Sequence, residues 1–107
     1  MCGIVGYTGC QNAVDILLDG LSHLEYRGYD SAGVALMGEN KINVFKELGK
    51  LNNLVEHLKK QDINEIKSNV GIGHIRWATH GLPTVINAHP HSCNCKGLTL
   101  VHNGIIE

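Results

Sequence analysis

The chain has 107 residues, of which 43% are hydrophobic and 18% charged, and its nine basic and ten acidic side chains give a formal net charge of −1. This composition supports one folded domain at most and excludes a disordered tail, which would be poorer in apolar residues and more one-sided in charge. Nucleic-acid binding would favour a basic excess, and no segment approaches the roughly 18 apolar residues of a membrane span, so we expect neither kind of partner.

The first half of the chain alternates short apolar segments with an amphipathic one. Residues 2–7 (CGIVGY) are apolar and β-branched and predict a strand, after which Asn12 is placed to cap a helix over residues 13–25. Residues 32–37 and 41–48 predict a hairpin joined by a turn that contains glycine.

The second half continues this mixture. Apolar residues recur at helical spacing over residues 51–58, and two lysines follow where a helix dipole favours cations. Residues 70–77 and 98–102 predict strands, whereas residues 78–91 are expected to be irregular. The order β-α-β-β-α-β-β with antiparallel hairpins indicates an α/β or α+β layered domain. An apolar patch just before Glu107 leads us to expect a fragment of a larger domain.

The chain contains four cysteines, Cys2, Cys10, Cys93 and Cys95. In a small secreted protein they would suggest two disulfides, but the N-terminus has no basic region followed by an apolar run. We therefore expect a cytoplasmic protein whose four thiols are all reduced.

The opening triplet Met1-Cys2-Gly3 places a thiol beside the initiator methionine. Removal of Met1 would give Cys2 both a thiol, with an ordinary pKa near ~8.5, and an α-amine, with an ordinary pKa near ~7.7–8.0. The amine could then act as the base for the thiol of the same residue. A small apolar residue that begins a strand would look the same, and the triplet alone favours that simpler interpretation.

Two later segments offer groups that such a nucleophile needs. The Asn103 amide and the Gly104 N–H could stabilise an oxyanion, although Asn-Gly between apolar runs is also a strong hairpin signal. The Arg76 guanidinium could bind a carboxylate through two parallel hydrogen bonds, and residues 77–81 have the mixed polar and aromatic character of a binding loop. An ordinary exposed ion pair is the simpler role for Arg76.

A metal site is the alternative from a different class of function. His89, His91, Cys93 and Cys95 alternate, so on a strand they would share one face. Structural zinc sites more often use pairs separated by two to four residues, and Pro90 argues against a regular strand. We therefore expect no metal and keep a small Cys/His metal-binding module as the alternative.

Four regions of the chain together resemble one enzyme family. They are MCGIVG at 1–6, LEYRGYDSAG at 24–33, GHIRWATHG at 73–81 with NAHPH at 87–91, and VHNGIIE at 101–107. In this order they resemble the glutaminase half of the glutamine–fructose-6-phosphate aminotransferases, which are class II glutamine amidotransferases. The opening segment is similar in other members of that class, so another class II amidotransferase stays as an alternative.

The resemblance implies an α+β fold of the N-terminal-nucleophile hydrolase type, with two antiparallel sheets between helix layers in an αββα sandwich. Residues 1–107 would be the N-terminal part of the glutaminase domain, incomplete at its C-terminus and without the sugar isomerase domain. After loss of Met1, Cys2 would attack the side-chain amide of L-glutamine, form a thioester, and release ammonia and then glutamate. The full-length protein would use the ammonia to convert fructose 6-phosphate to glucosamine 6-phosphate.

The resemblance also implies roles for further residues. Arg76 would hold the α-carboxylate of glutamine, and Asn103 and Gly104 would form the oxyanion hole. The loop that closes over glutamine would carry three residues: Trp77, Thr79 and His80. A neighbouring loop would be shaped by Arg27 and Asp30. The family's acidic residue for the substrate ammonium would lie beyond residue 107. No cofactor is implied, the full-length protein would be a homo-oligomer, and the 107 residues alone would be inactive.

Overall fold

The computed structural model describes residues 2–25, 29–38, 41–61, 68–77, 84–93 and 97–103. The strands in these ranges are β1 (Gly3–Thr8), β2 (Ser31–Met37), β3 (Ile42–Leu48), β4 (Val70–Arg76), β5 (His91–Ser92) and β6 (Thr99–Leu100), and the helices are α1 (Ala13–Leu24) and α2 (Leu51–Lys60). The predicted order of strands and helices is confirmed, with β5 as an addition, and the predicted strand at 98–102 is reduced to the two residues of β6.

Four strands form an antiparallel sheet in the order β1-β4-β2-β3. The register pairs Gly3 of β1 with Ile75 of β4, and Ser31 of β2 with Arg76 of β4. The start of β1, the start of β2 and the end of β4 therefore meet at one end of the sheet. This places Cys2, which precedes β1, beside the last residues of β4.

Both helices pack on the same face of this sheet. Leu17 and Leu21 of α1 are four residues apart, so they lie on one side of the helix, and both are fully buried. From α2, Leu54 and Leu58 are buried against the same core. The sheet contributes alternate residues, as the two-residue period of a strand requires. Its buried apolar members in this core are Ala32, Val34, Leu36 and Ile75.

The opposite face of the sheet is covered at one end by residues 84–93 and by the antiparallel β5–β6 pair. The Lys46 ammonium donates to the Ala88 carbonyl at 3.0 Å. Gly33 provides the closest approach, because a Cβ at this position would lie 2.0 Å from the carbonyl oxygen of His89. Only a residue without a side chain fits here, so Gly33 lets the His89 segment rest directly on β2.

The remainder of that face is apolar and open among the residues that the structure describes. A cavity there is lined by side chains of the sheet and of the β6 segment, among them Ala35, Met37, Ile42, Ile72 and Leu98. The described layers are therefore helices, a four-stranded sheet and a two-stranded sheet, which confirms the α+β class. None of the helices in the described ranges is long and apolar enough to cross a membrane.

Two local expectations are corrected by the structure. Asn12 occupies the position before α1 in an extended conformation, but its side chain makes no capping hydrogen bond. Instead, the Ala13 N–H donates to the Ser68 carbonyl at 2.7 Å, so a neighbouring segment satisfies the helix start. Cys93 is disulfide-bonded, so the expectation of four reduced thiols is wrong, whereas Cys2 and Cys10 are free. Cys95 lies outside the described residues.

Substitution of Gly33 tests the close approach of the two segments. We expect Gly33→Ala to lower the free energy of unfolding by about 1–3 kcal/mol, the usual cost of overpacking, because the new methyl group would displace the His89 carbonyl. Gly6→Ala, also in a strand, is the matched control, since no atom lies within 4 Å of its added Cβ. Urea unfolding of both variants in the full-length protein measures the difference, and equal stability would contradict the packing described here.

Candidate active site

The free thiol of Cys2 lies at the end of the sheet where the first and fourth strands meet. Its Sγ lies 3.8 Å from the carbonyl oxygen of Trp77, and the residue is half-buried. The Asn103 Nδ2 donates to the backbone carbonyl of Cys2 at 3.2 Å. Two of the predicted site residues, from opposite ends of the sequence, are thus in direct contact.

The end of β4 supplies the next two predicted residues. Asp30 N–H donates to the Arg76 carbonyl at 2.6 Å, which extends the β2–β4 pairing by one more bond. Arg76 is only 8% exposed, so its simpler role as an ordinary exposed ion pair is wrong. Trp77 is 48% exposed and follows directly. A buried guanidinium at the same end of the sheet as a free thiol suits the binding of an anionic group.

Asn103 is held by two hydrogen bonds that fix the orientation of its amide. The Cys2 carbonyl can only accept, so Nδ2 must face it, and Oδ1 therefore faces His74. The Oδ1···Nε2 distance is 2.8 Å, and because Oδ1 accepts, Nε2 of His74 carries the proton. Nδ2 has two hydrogens, and one of them is sufficient for the bond to Cys2.

Three imidazoles lie side by side next to Asn103. The rings of His74 and His89 are stacked at 4.2 Å with 25° between their planes, and those of His89 and His91 are 4.3 Å apart and tilted by 56°. Residue types alone did not identify His74 as a site residue. The signal was available, because two-residue alternation along a strand predicts that His74 shares a face with Arg76.

The pKa values of all three imidazoles lie below the ordinary value for histidine. Burial is the largest cause, and together with electrostatic interactions with His74, His91, Arg76 and Lys46 it lowers the pKa of His89 to about 4. Burial also lowers the pKa of His74, which the hydrogen bond to Asn103 opposes, and burial together with Lys46 and Arg76 lowers the pKa of His91. A neutral His89 can accept at Nδ1, where the His102 N–H donates at 3.4 Å.

The metal-binding alternative finds little support in the described part of the chain. No group of three or more His, Cys, Asp or Glu side chains is arranged there to hold a metal ion. Cys93, one of the four residues of that alternative, is disulfide-bonded and is not available as a thiolate ligand.

Some of the predicted site residues lie outside the described residues, so their roles stay predictions. They are Arg27, Thr79, His80 and Gly104.

Curated proteins match the chain along its whole length. It is 59% identical to glutamine–fructose-6-phosphate aminotransferase (isomerizing) of Clostridium acetobutylicum, 57% to that of Clostridium perfringens and 55% to that of Bacillus anthracis. Each match covers 100% of this chain and 17% of the relative, so the chain spans about one sixth of the length of these relatives. No protein-family model matches the chain.

Two solved structures share the fold. The allosteric regulatory enzyme of purine biosynthesis superposes with a TM-score of 0.68 at 26% identity, over 85% of this chain and 19% of that one. Glutamine phosphoribosylpyrophosphate amidotransferase from B. subtilis, complexed with ADP and GMP, gives a TM-score of 0.66 at 26% identity, over 88% of this chain and 20% of that one.

The chain belongs to the class II glutamine amidotransferases. Its fold is that of the N-terminal-nucleophile hydrolases, as the sequence resemblance implied. The level of identity to the aminotransferases, about twice that to the two solved structures, favours the glutamine–fructose-6-phosphate branch of the family.

The low pKa of His89 predicts an acid-dependent loss of stability. In the unfolded chain an imidazole binds its proton near pH ~6.5, whereas folded His89 does so only at about pH 4. Between these values the unfolded state binds more protons, so the free energy of unfolding should fall as the pH falls from about 6.5 to about 4.

Non-titrating variants measured in the full-length protein isolate the contribution of His89. His89→Asn retains an acceptor for the His102 N–H, and we expect it to flatten the fall in stability across this pH window. His23→Asn, at an exposed position of α1, is the control and should keep the wild-type slope. If the free energy of unfolding of His89→Asn fell with pH as steeply as that of the wild type, the low pKa assigned to His89 would be refuted.

Proposed function

We propose that this chain is the N-terminal, nucleophile-bearing part of a glutaminase domain, in which Cys2 hydrolyses L-glutamine to glutamate and ammonia. The observation that carries the proposal is the contact of Cys2 with Asn103, which brings a free thiol and an amide donor together at one end of the sheet. The names of the relatives support glutamine as the substrate, since they describe glutamine-dependent aminotransferases and an amidotransferase.

The proposed reaction begins with the loss of Met1, which frees the α-amine of Cys2. The amine takes the proton of the thiol, and the thiolate attacks the carbonyl carbon of the glutamine side chain. The amine then gives the proton to the departing nitrogen, so ammonia leaves and a thioester remains. Water attacks the thioester, glutamate leaves, and the thiol is regenerated.

Stabilisation of the tetrahedral intermediates falls to Asn103 and Gly104. The Asn103 Nδ2 donates one of its hydrogens to the Cys2 carbonyl, and the second remains for the oxyanion that would develop beside Sγ. The backbone N–H of Gly104 would supply the second donor. Because the Cys2–Asn103 bond holds this amide in place before substrate binds, little reorganisation is needed in the transition state.

Substrate recognition is assigned to the end of β4. The buried guanidinium of Arg76 would bind the α-carboxylate of glutamine, because a desolvated, bidentate donor holds a carboxylate more strongly than an exposed one. Trp77, Thr79 and His80 would lie on the segment that closes over the substrate. The acidic residue for the α-ammonium group would come from sequence beyond residue 107.

For the full-length protein we propose that the ammonia is used to convert fructose 6-phosphate to glucosamine 6-phosphate. The names of the relatives at 55–59% identity support this sugar phosphate as the acceptor. The glutaminase part of another class II amidotransferase is the alternative, represented by the two structures at 26% identity. We further propose that the full-length protein is a cytoplasmic homo-oligomer that binds neither nucleic acid nor membrane. Residues 1–107 in isolation would be inactive.

Replacement of the nucleophile tests the proposal in the full-length protein. We expect Cys2→Ala to lower kcat for the release of ammonia from glutamine by about 10⁴-fold or more, since no covalent intermediate can then form. Cys10→Ser, which alters the second free thiol of the described residues, is the control and should keep wild-type activity. Full activity in Cys2→Ala, or equal labelling of Cys2 and Cys10 by a glutamine-analogue electrophile, would refute the mechanism.

Substitution of Arg76 tests the carboxylate site separately. Arg76→Lys keeps the charge and loses the two parallel hydrogen bonds, so we expect KM for glutamine to rise by about 10- to 100-fold, as hydrogen bonds to charged groups contribute about 1.5–3 kcal/mol. Steady-state kinetics of glutamine hydrolysis measure this change. The control is the rate at which iodoacetamide, which has no α-carboxylate, alkylates Cys2, and this rate should stay unchanged. An unaltered KM for glutamine would contradict the assignment of Arg76 to the α-carboxylate.

A further inference from the structure

We propose that His74 is a positioning residue that acts through Asn103, because its imidazole holds the Asn103 amide in the orientation that an oxyanion donor needs. This inference rests on the proposed glutaminase function. His74 touches neither Cys2 nor the proposed substrate position in the contacts described above. Its influence on the reaction must therefore pass through the amide that it binds.

The contact between His74 and Asn103 is short and shielded from solvent on the histidine side. His74 is fully buried, and its Nε2 lies 2.8 Å from Oδ1 of Asn103. Asn103 itself is exposed and follows the short strand β6, so no strand pairing holds its side chain. Without the donor on His74, the 3.2 Å bond to the Cys2 carbonyl would be the one remaining hydrogen bond to this amide among the described residues. A rotation of the amide would then turn its oxygen, instead of its N–H groups, towards the thiol.

The imidazole of His74 is itself held rigidly. It stacks on His89, whose backbone carbonyl lies against Gly33 of β2. The Nδ1 of His89 accepts from the N–H of His102, the residue before Asn103. The stacked pair thus binds two consecutive residues, one through the main chain and one through the side chain. A donor fixed by the sheet is therefore hydrogen-bonded to an amide on the segment that follows β6.

This arrangement predicts a kinetic effect confined to the chemical step. The oxyanion exists only in the transition state and the tetrahedral intermediates, so misplacing its donor lowers kcat and leaves KM largely unchanged. Alkylation of Cys2 by iodoacetamide is a displacement at a saturated carbon and forms no oxyanion. Its rate depends on the thiol and on access to it, so it should not respond to the orientation of Asn103.

The test compares two variants of His74 in the full-length protein. His74→Phe keeps a planar ring and lacks the donor, and we expect it to lower kcat for glutamine hydrolysis by about 10- to 100-fold. This is less than the roughly 10²–10³-fold loss from removing an oxyanion donor outright, as in Asn103→Ala. His74→Gln keeps a side-chain N–H and should restore most of the activity. Both variants should be alkylated at the wild-type rate.

The double variant His74→Phe with Asn103→Ala identifies the path of the effect. If His74 acts through Asn103, the double variant should be no slower than Asn103→Ala alone. Additive losses, an alkylation rate that falls with kcat, or full activity in His74→Phe would each overturn the proposal. Absence of ammonia release by the wild-type protein would instead refute the proposed function itself.

A measurement on the wild-type protein does not depend on the folding of any His74 variant. In nitrogen NMR of the histidine-labelled protein, the His74 ring should be neutral and protonated at Nε2. Its Nε2 resonance should shift in Asn103→Ala, which removes the acceptor. A His74 ring protonated only at Nδ1, or a resonance indifferent to Asn103→Ala, would contradict the proposal.

Discussion

The pairing of β4 with a strand on each side is the constraint on which the site depends. β1 lies along one edge of β4 and β2 along the other, so the start of the chain is held beside the end of β4 by backbone hydrogen bonds. A flexible N-terminus would have to lose considerable conformational entropy before it could act as a nucleophile. Here the N-terminus is already ordered by the folding of the sheet, so Cys2 is positioned before any substrate binds.

One face of β4 packs in the apolar core, and the other carries the polar residues of the candidate site. Ile75 packs with the helices in the apolar core, whereas His74 and Arg76 turn to the opposite face, where Asn103 and the histidine cluster lie. Because neighbouring residues of a strand point in opposite directions, the core that stabilises the sheet also fixes the polar groups behind it. A substitution on either face therefore affects the other through the same backbone.

Burial determines the charge of the site. Desolvation and the basic groups around them lower the pKa of all three imidazoles, which favours the neutral form. Two of these rings, His74 and His89, stack and are hydrogen-bonded to residues 103 and 102. The guanidinium of Arg76 then supplies the positive charge in a poorly hydrated setting.

Hydrophobic spacing and β-branched runs by themselves determined the helices, the main strands and the α+β class, because these depend on which residues can be buried together along a short segment. The motifs also indicated Cys2, Arg76 and Asn103, whose residue types suit the proposed chemistry. Spacing could not establish that Cys2 and Asn103 touch, that Arg76 is buried, or that His74 is hydrogen-bonded to the side chain of Asn103. Those facts depend on strand order and register, which bring together residues far apart in the chain, and only the tertiary structure decides them.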